Sequence, residues 1–224
     1  MLIIACVLRS GGFYHPVDVG RLYRGVVRVG GADFDKFVCL TDMAEGVAAL
    51  GLSDLETVKL AHNWPGWWSK MELFRTVFPE EARVLYIDLD TIIMGNLGDI
   101  AERREPWIML GDFYKRPPRH GKIALASGMM MWTANDQIDI YKSFARSPER
   151  TMEVCGRAGD QEWISRQNPG AKLWENLVPG QVISYKVHCR EYGTMPQNAR
   201  VVCFHGSPKP IDAPEPWVKD YMAL

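Results

Sequence analysis

The stretch from Arg83 to Met94, RVLYIDLDTIIM, constrains this chain more than any other. Val84, Leu85, Tyr86 and Ile87 form an apolar run of strand-favouring residues, which predicts a buried strand. The run stops at two carboxylates, Asp88 and Asp90, separated by one residue. Residues two apart on extended backbone face the same side, so both acids project together from the strand's end. Like charges held that close repel unless a cation lies between or beside them. Oxygen ligands of this kind suit Mg²⁺ or Mn²⁺. The same pattern also fits a strand running into a surface turn, where aspartate is common. What the rest of the chain adds decides between the two.

The chain has 224 residues, room for one α/β domain with a real core and too little for two generous ones. Its 26 basic and 27 acidic residues leave a net charge of −1, which gives no argument for a nucleic-acid, membrane or polyanion partner. A hydrophobic content of 47% is ordinary for a globular protein. The five cysteines are odd in number and lack CxxC spacing. Cys6, Cys39 and Cys203 sit in apolar runs, where a reduced buried thiol is the default. A reducing, cytoplasmic setting is therefore expected. The opening MLIIACVL reaches Arg9 after eight residues, too short for a membrane span or a signal sequence, and reads as the first core strand.

Taken in order, Leu2 to Leu8 predicts a strand covered on both faces, as in a parallel sheet. The loop from Arg9 to Gly12 follows it, at the carboxyl end where open α/β sheets bind ligands. It has neither dinucleotide-fingerprint nor P-loop spacing. Val19, Leu22, Tyr23, Val26 and Val27 make a helical face over Pro16 to Val29, and Lys36 to Leu40 is a second strand. A short helix and a strand at Thr57 to Ala61 come next. Trp64, Trp67 and Trp68 then crowd into five positions, as a packed corner or a stacking platform. Ser69 to Phe78 is expected as a helix with a Ser69–Glu72 capping box. Asn96 to Arg104 reads as a helix with Asn96 as cap, Trp107 to Leu110 and Gly128 to Trp132 as strands, and Asn135 to Ala145 and Asp160 to Arg166 as helices. Val182 to Val187 and Arg200 to Phe204 are the late strands. The proline-rich tail after Ser207 reads as an extended strap. Residues 114–122, YKRPPRHGK, form a basic irregular loop: either solvated, or a grip on phosphates.

Five pieces of the chain line up with one family: SKMELF at 69–74, LYIDLDTIIMGNL at 85–97, SGMMMW at 127–132, GDQEWIS at 159–165 and HGSPKP at 205–210. In this order the chain resembles the GT-A-fold glycosyltransferases, and most of all glycosyltransferase family 8, the relatives of glycogenin and of lipopolysaccharide galactosyltransferases. The resemblance implies a single GT-A domain over residues 1–224, with a Rossmann-like, mostly parallel sheet flanked by helices. About residues 1–90 would form the nucleotide half, and 91–224 the sugar and acceptor half with a C-terminal metal-binding strap. It implies a metal site of Asp88, Asp90 and His205 holding Mn²⁺ or Mg²⁺. Lys70, Lys209, Ser127, Tyr14, Arg9 and Gly206 would bind the nucleotide-sugar donor, with Tyr14 stacking on the base. Asp112 and Asp160 would hydrogen-bond sugar hydroxyls, and Gln161 would lie near the anomeric carbon.

The implied reaction is transfer of a sugar from a nucleotide diphosphate, uridine diphosphate being expected, to an acceptor hydroxyl with retention. Two positions depart from the family's pattern. Ala126-Ser127-Gly128 stands where relatives often carry Asn-Ala-Gly, and the loop from Arg9 to Tyr14 lacks the usual acid for the base. The rivals are a metal-dependent nucleotidyltransferase or phosphohydrolase, and a non-catalytic sugar-nucleotide-binding module. The acceptor is open: a glycan, a protein, a metabolite or a nucleic-acid base, the last kept in play only by the basic loop.

Overall fold

The alternation of side chains along an apolar strand lets one strand feed two cores, and the first strand does so. In the structure, a computed structural model that describes residues 1–29, 31, 33–114 and 124–224, strand β1 spans Leu2–Leu8. Its Ile4, Cys6 and Leu8 pack into one core, while Ile3 and Ala5 pack into the other. Helix α1 (Pro16–Val29) covers the first core with Val19, Leu22 and Val26. Strand β2 (Lys36–Thr41), helix α2 (Ala44–Ala48) and strand β3 (Leu55–Lys59) follow. A 3₁₀ helix at Gly66–Phe74 covers the second core with Met71, Leu73 and Phe74.

Strand β4 (Arg83–Ile87) splits its side chains in the same way, with Leu85 and Ile87 on one side and Val84 and Tyr86 on the other. Next come β5 (Thr91–Ile93), α3 (Gly98–Ala101), β6 (Trp107–Gly111) and β7 (Leu125–Thr133). Helices α4 (Ile138–Ala145), α5 (Pro148–Cys155) and α6 (Gly159–Gln167) lead to β8 (Lys172–Leu173), α7 (Trp174–Leu177), β9 (Val182–Ser184) and α8 (Tyr185–His188). The described chain finishes with β10 (Val201–Cys203), a 3₁₀ turn at Pro210–Asp212 and α9 (Pro216–Met222).

The main sheet has the order β3-β2-β1-β4-β7-β6-β8. It is mostly parallel, as expected; β7 alone runs antiparallel to its neighbours β4 and β6. A second, three-stranded sheet has the order β5-β10-β9. Asp88, Leu89 and Asp90 lie where the chain leaves β4 in the first sheet and enters β5 in the second. Strand β10 pairs antiparallel with β5, matching Cys203 to Thr91, so the late chain returns to the acidic pair.

Several local expectations change. The helix expected over 69–78 is the 3₁₀ helix Gly66–Phe74, entered from Pro65. Ser69 donates back to the Gly66 carbonyl at 2.7 Å, and Glu72 accepts from the amides of Ala61 (2.6 Å) and His62 (2.9 Å) instead of capping. The strand over Val182–Val187 stops at Ser184, whose hydroxyl accepts the Val187 amide and starts α8. The tail is not a plain strap: Pro216 takes the first position of α9, where a missing N–H costs nothing. Asn135, at φ 71°, makes a turn that delays α4 to Ile138. Trp64 and Trp68 are 8% and 6% exposed and pack in the second core, but Trp67 is 53% exposed. All five cysteines are buried and free. The expected basic loop, beyond Tyr114, lies outside the described residues.

Candidate active site

Two lysines from opposite ends of the chain meet the acidic pair. Lys70, carried by the 3₁₀ helix and 9% exposed, places its Nζ 3.0 Å from Asp88 Oδ1 and 3.3 Å from Asp160 Oδ2. It also donates to Ser127 Oγ at 3.3 Å, and Ser127 donates to Asp160 Oδ2 at 2.6 Å. Asp160 belongs to the first turn of α6 and Ser127 to β7, so three elements converge on one ammonium. Asp88 is held from behind: its amide donates to the Gly128 carbonyl at 2.9 Å, and the Tyr86 hydroxyl donates to Oδ1. Burial pushes the Asp88 carboxyl up to about 6, with Lys70 pulling the other way and Asp90 adding to the rise. It is therefore ionised at neutral pH. Burial alone would lower the Lys70 ammonium, but Asp160 and Asp88 outweigh it and hold the group above its ordinary value.

Asp90, 9% exposed, has the second lysine. Lys209, just before the Pro210–Asp212 turn, donates to Oδ2 at 2.7 Å across 119 residues of sequence. The Tyr14 hydroxyl donates to the same oxygen at 3.0 Å, and the Lys209 ammonium sits 5.2 Å from the centre of the Tyr14 ring. Burial, then the Asp90 charge, raises the Tyr14 phenol well above its ordinary value, so it stays a hydrogen-bond donor.

His205 stands beside this pair without pointing at it. The Phe204 amide donates to the Asp90 carbonyl at 3.0 Å, which fixes the backbone next to the acid. The imidazole Nε2 is 2.7 Å from Ser184 Oγ, and the ring stacks on Phe113 with centroids 6.0 Å apart and planes 13° apart. Burial, then Lys186, lowers its proton affinity, which favours the neutral ring a metal requires. Among the described residues, no three His, Cys, Asp or Glu side chains already converge as a metal cage. The donor chemistry nonetheless suits a hard divalent ion: two carboxylates and an imidazole on adjoining backbone.

The remaining candidates fall into place around these groups. Asp112 precedes Phe113 and accepts the Tyr114 amide at 3.1 Å. Gly206, at φ 71°, adopts a left-handed backbone, and a Cβ there would come within 3.3 Å of Lys186 Nζ. Gln161 is exposed in the first turn of α6, next to Asp160. Arg9 is turned away from the acidic pair: its guanidinium donates to Asp42 and to Asn63. Asp42, at the end of β2, also accepts the Ser10 amide at 2.8 Å. Burial would raise its carboxyl, but bonds from Ser10 and the charge of Arg9 hold it below the ordinary value.

Sequence reasoning missed Tyr86, Ser184, Lys186 and Asp42. Tyr86 was within reach, since it lies two residues before Asp88 and shares its side of the strand. Ser184 and Lys186 carry no local signal, because β9 and α8 come to His205 only through the second sheet.

No family model matches the chain, and no curated protein matches its sequence. Solved structures do match its fold. The galactosyltransferase LgtC, in complex with donor and acceptor sugar analogues, superposes with a TM-score of 0.74 at 12% identity, covering 99% of this chain and 94% of LgtC. The glycosyltransferase GlyE of Streptococcus pneumoniae TIGR4 superposes with a TM-score of 0.71 at 13% identity. That match covers all of this chain and 61% of GlyE, so the chain spans under two thirds of that protein's length. At such low identity the likeness is one of backbone architecture, and the architecture these neighbours share with this chain is the GT-A fold.

Proposed function

We propose that the chain is a metal-dependent, retaining glycosyltransferase that moves a hexosyl unit from a nucleotide diphosphate sugar, with uridine diphosphate as leaving group, to an acceptor hydroxyl. The observation that carries this reading is the bracketing of one acidic pair by two lysines from distant segments, at the carboxyl end of a mostly parallel sheet. A diphosphate needs cationic donors on both flanks, and Lys70 and Lys209 supply them. The fold shared with LgtC and GlyE supports the same reading.

Asp88, Asp90 and His205 are the residues that would hold Mn²⁺ or Mg²⁺. Bound there, the cation supplies neutralisation of the charge that develops on the departing diphosphate. The chain's own groups do the rest. Lys70 and Lys209 release the carboxylates and donate to phosphate oxygens. Asp160, oriented by Ser127, and Asp112 accept from sugar hydroxyls, and Gln161 lies at the anomeric side. We assign no nucleophile among the described residues; in this reading the acceptor hydroxyl attacks from the side the diphosphate leaves. A departing phosphate oxygen then takes its proton.

The test is a thermal-shift panel of nucleotide sugars with and without Mn²⁺. A uridine diphosphate sugar with Mn²⁺ is expected to raise Tm, by about 2.7 kcal/mol of stabilisation at a hundredfold excess over Kd. Asp88→Asn is expected to abolish the metal-dependent part. A panel in which no nucleotide sugar shifts the native protein rejects the donor assignment. Formation of sugar phosphate without any acceptor would favour the nucleotidyltransferase rival.

A further inference from the structure

Trp67 is the odd member of the tryptophan cluster. Trp64 and Trp68 are buried against Phe144 and the second core, whereas Trp67 is 53% exposed. Among the described residues no aromatic ring packs on it. Exposing so large an apolar side chain forfeits the burial its neighbours gain. Its position in the 3₁₀ helix explains where it points. Side chains three apart eclipse in that geometry, so Trp67 lies over Lys70, the residue whose ammonium reaches Asp88 and Asp160.

A second contact fixes the ring. The indole Nε1 edge lies against Gly159, where an added Cβ would stand 2.8 Å from Nε1. Gly159 is also at positive φ, 69°, so a side chain there would strain the backbone and displace the indole. Gly159 opens α6 and is followed at once by Asp160. The indole is thus set at the rim of the carboxylate site, its edge held by α6 and much of its surface left to solvent. A flat, rigid, half-wet surface of this kind suits a sugar ring, whose apolar C–H face covers the indole while its hydroxyls stay hydrated.

We infer that Trp67 is the platform for the acceptor, and that the acceptor is a pyranoside, a glycan or glycoside, rather than a protein side chain or a nucleic-acid base. The inference rests on the transferase reading for the word acceptor, but not for the binding itself.

The test is therefore a binding measurement. Methyl α- and β-hexopyranosides and their disaccharides are titrated into the protein while the tryptophan indole N–H resonances are followed by NMR. The Trp67 signal is identified by its loss in Trp67→Phe. At least one glycoside is expected to shift the Trp67 indole more than the other seven tryptophans. The shift should persist in Asp88→Asn, in which the metal-dependent part of donor binding is lost. Trp67→Ala should raise the glycoside Kd about tenfold, with Trp67→Phe in between. If no glycoside moves the Trp67 resonance, or if only nucleotides do, the platform is overturned. That result leaves the transferase reading standing as long as the nucleotide panel shows binding. Conversely, a sugar-responsive Trp67 with no nucleotide response keeps the platform and removes the transferase.

Discussion

At the scale of single residues, the two lysines do the same job with different degrees of burial, and that difference sets what each is worth. Lys70, Asp88 and Asp160 have side chains 11%, 25% and 8% exposed, so removing the ammonium strands two carboxylates in a poorly hydrated place. Breaking a buried ion pair from one side costs several kcal/mol. Lys209 and Asp90 are 21% and 13% exposed, and Asp90 keeps the Tyr14 hydroxyl when the lysine is gone. In metal-free buffer, Lys70→Met should lose about 3 kcal/mol of unfolding free energy in urea. Lys209→Met should lose about 1 kcal/mol or less. Equal losses would show that burial does not separate the two contacts. Both variants should bind a nucleotide diphosphate more weakly.

The same pairs show why the site was partly legible in the sequence. Asp88, Asp90, Lys70, Lys209 and Asp160 sit in short motifs with fixed spacing, and the fold brings them together. Arg9 and Tyr14 were marked by their place after the first strand, which fixes a neighbourhood and not a partner. Arg9 found Asp42, and the Tyr14 hydroxyl found Asp90.

At the scale of elements, periodicity read well where burial is one-sided or complete and failed where backbone chemistry decides. Strand β1 and helix α1 have the expected bounds, Leu2–Leu8 and Pro16–Val29, because the first is an unbroken apolar run covered on both faces and the second repeats its apolar residues near every 3.6 positions. The 3₁₀ helix and α9 were not legible. In the first, Glu72 was spent on the amides of Ala61 and His62; in the second, four prolines masked a helix that starts on one of them.

Helix α9 also reverses a propensity rule on α1. A glycine inside a helix is ordinarily worse than alanine by about 1 kcal/mol. At Gly25, however, an added Cβ would meet the Tyr221 hydroxyl of α9 at 2.7 Å and its ring at 2.8 Å. Overpacking costs about 1–3 kcal/mol, so Gly25→Ala should destabilise the protein despite its better helix propensity. A gain in Tm for Gly25→Ala would mean that α9 yields freely.

The hydrogen bond between the first residue of α8 and the residue before α9 gives a pH-dependent counterpart. The Tyr185 hydroxyl donates to both oxygens of Glu215 at 2.8 Å, inside the core. Burial, then Glu215, pushes the Tyr185 phenol up to about 12 from its ordinary 10. A raised acid holds its proton longer when folded, so its contribution is complete below pH 10 and is lost as pH rises toward 12. Tyr185→Phe should cost about 2 kcal/mol at pH 7, where Glu215 loses its donor. The gap to the native protein should narrow in alkali. Urea titrations at neutral and alkaline pH measure it, and a gap that stays constant would deny the coupling.

At the scale of the whole molecule, the acidic pair is where two sheets are tied together. Strand β4 ends just before Asp88 in the large sheet, β5 begins after Asp90 in the small one, and β10 returns the late chain to β5. Lys209 then closes the loop on Asp90, while Val218 and Tyr221 bury α9 in the first core. A ligand held at the acidic pair therefore touches segments more than a hundred residues apart. If a diphosphate is clasped from both flanks, binding must order both at once, because neither flank alone completes the charge balance. Hydrogen exchange with Mn²⁺ and a uridine diphosphate sugar should slow together in peptides spanning 66–74, 86–93 and 203–212. Such coupling follows from linkage: a ligand that binds only the closed arrangement suppresses local opening of every segment that builds it. Protection confined to 86–93 would place the ligand on the central acids alone. The return of the late chain would then be a matter of folding, and Lys209 would have no part in holding the donor.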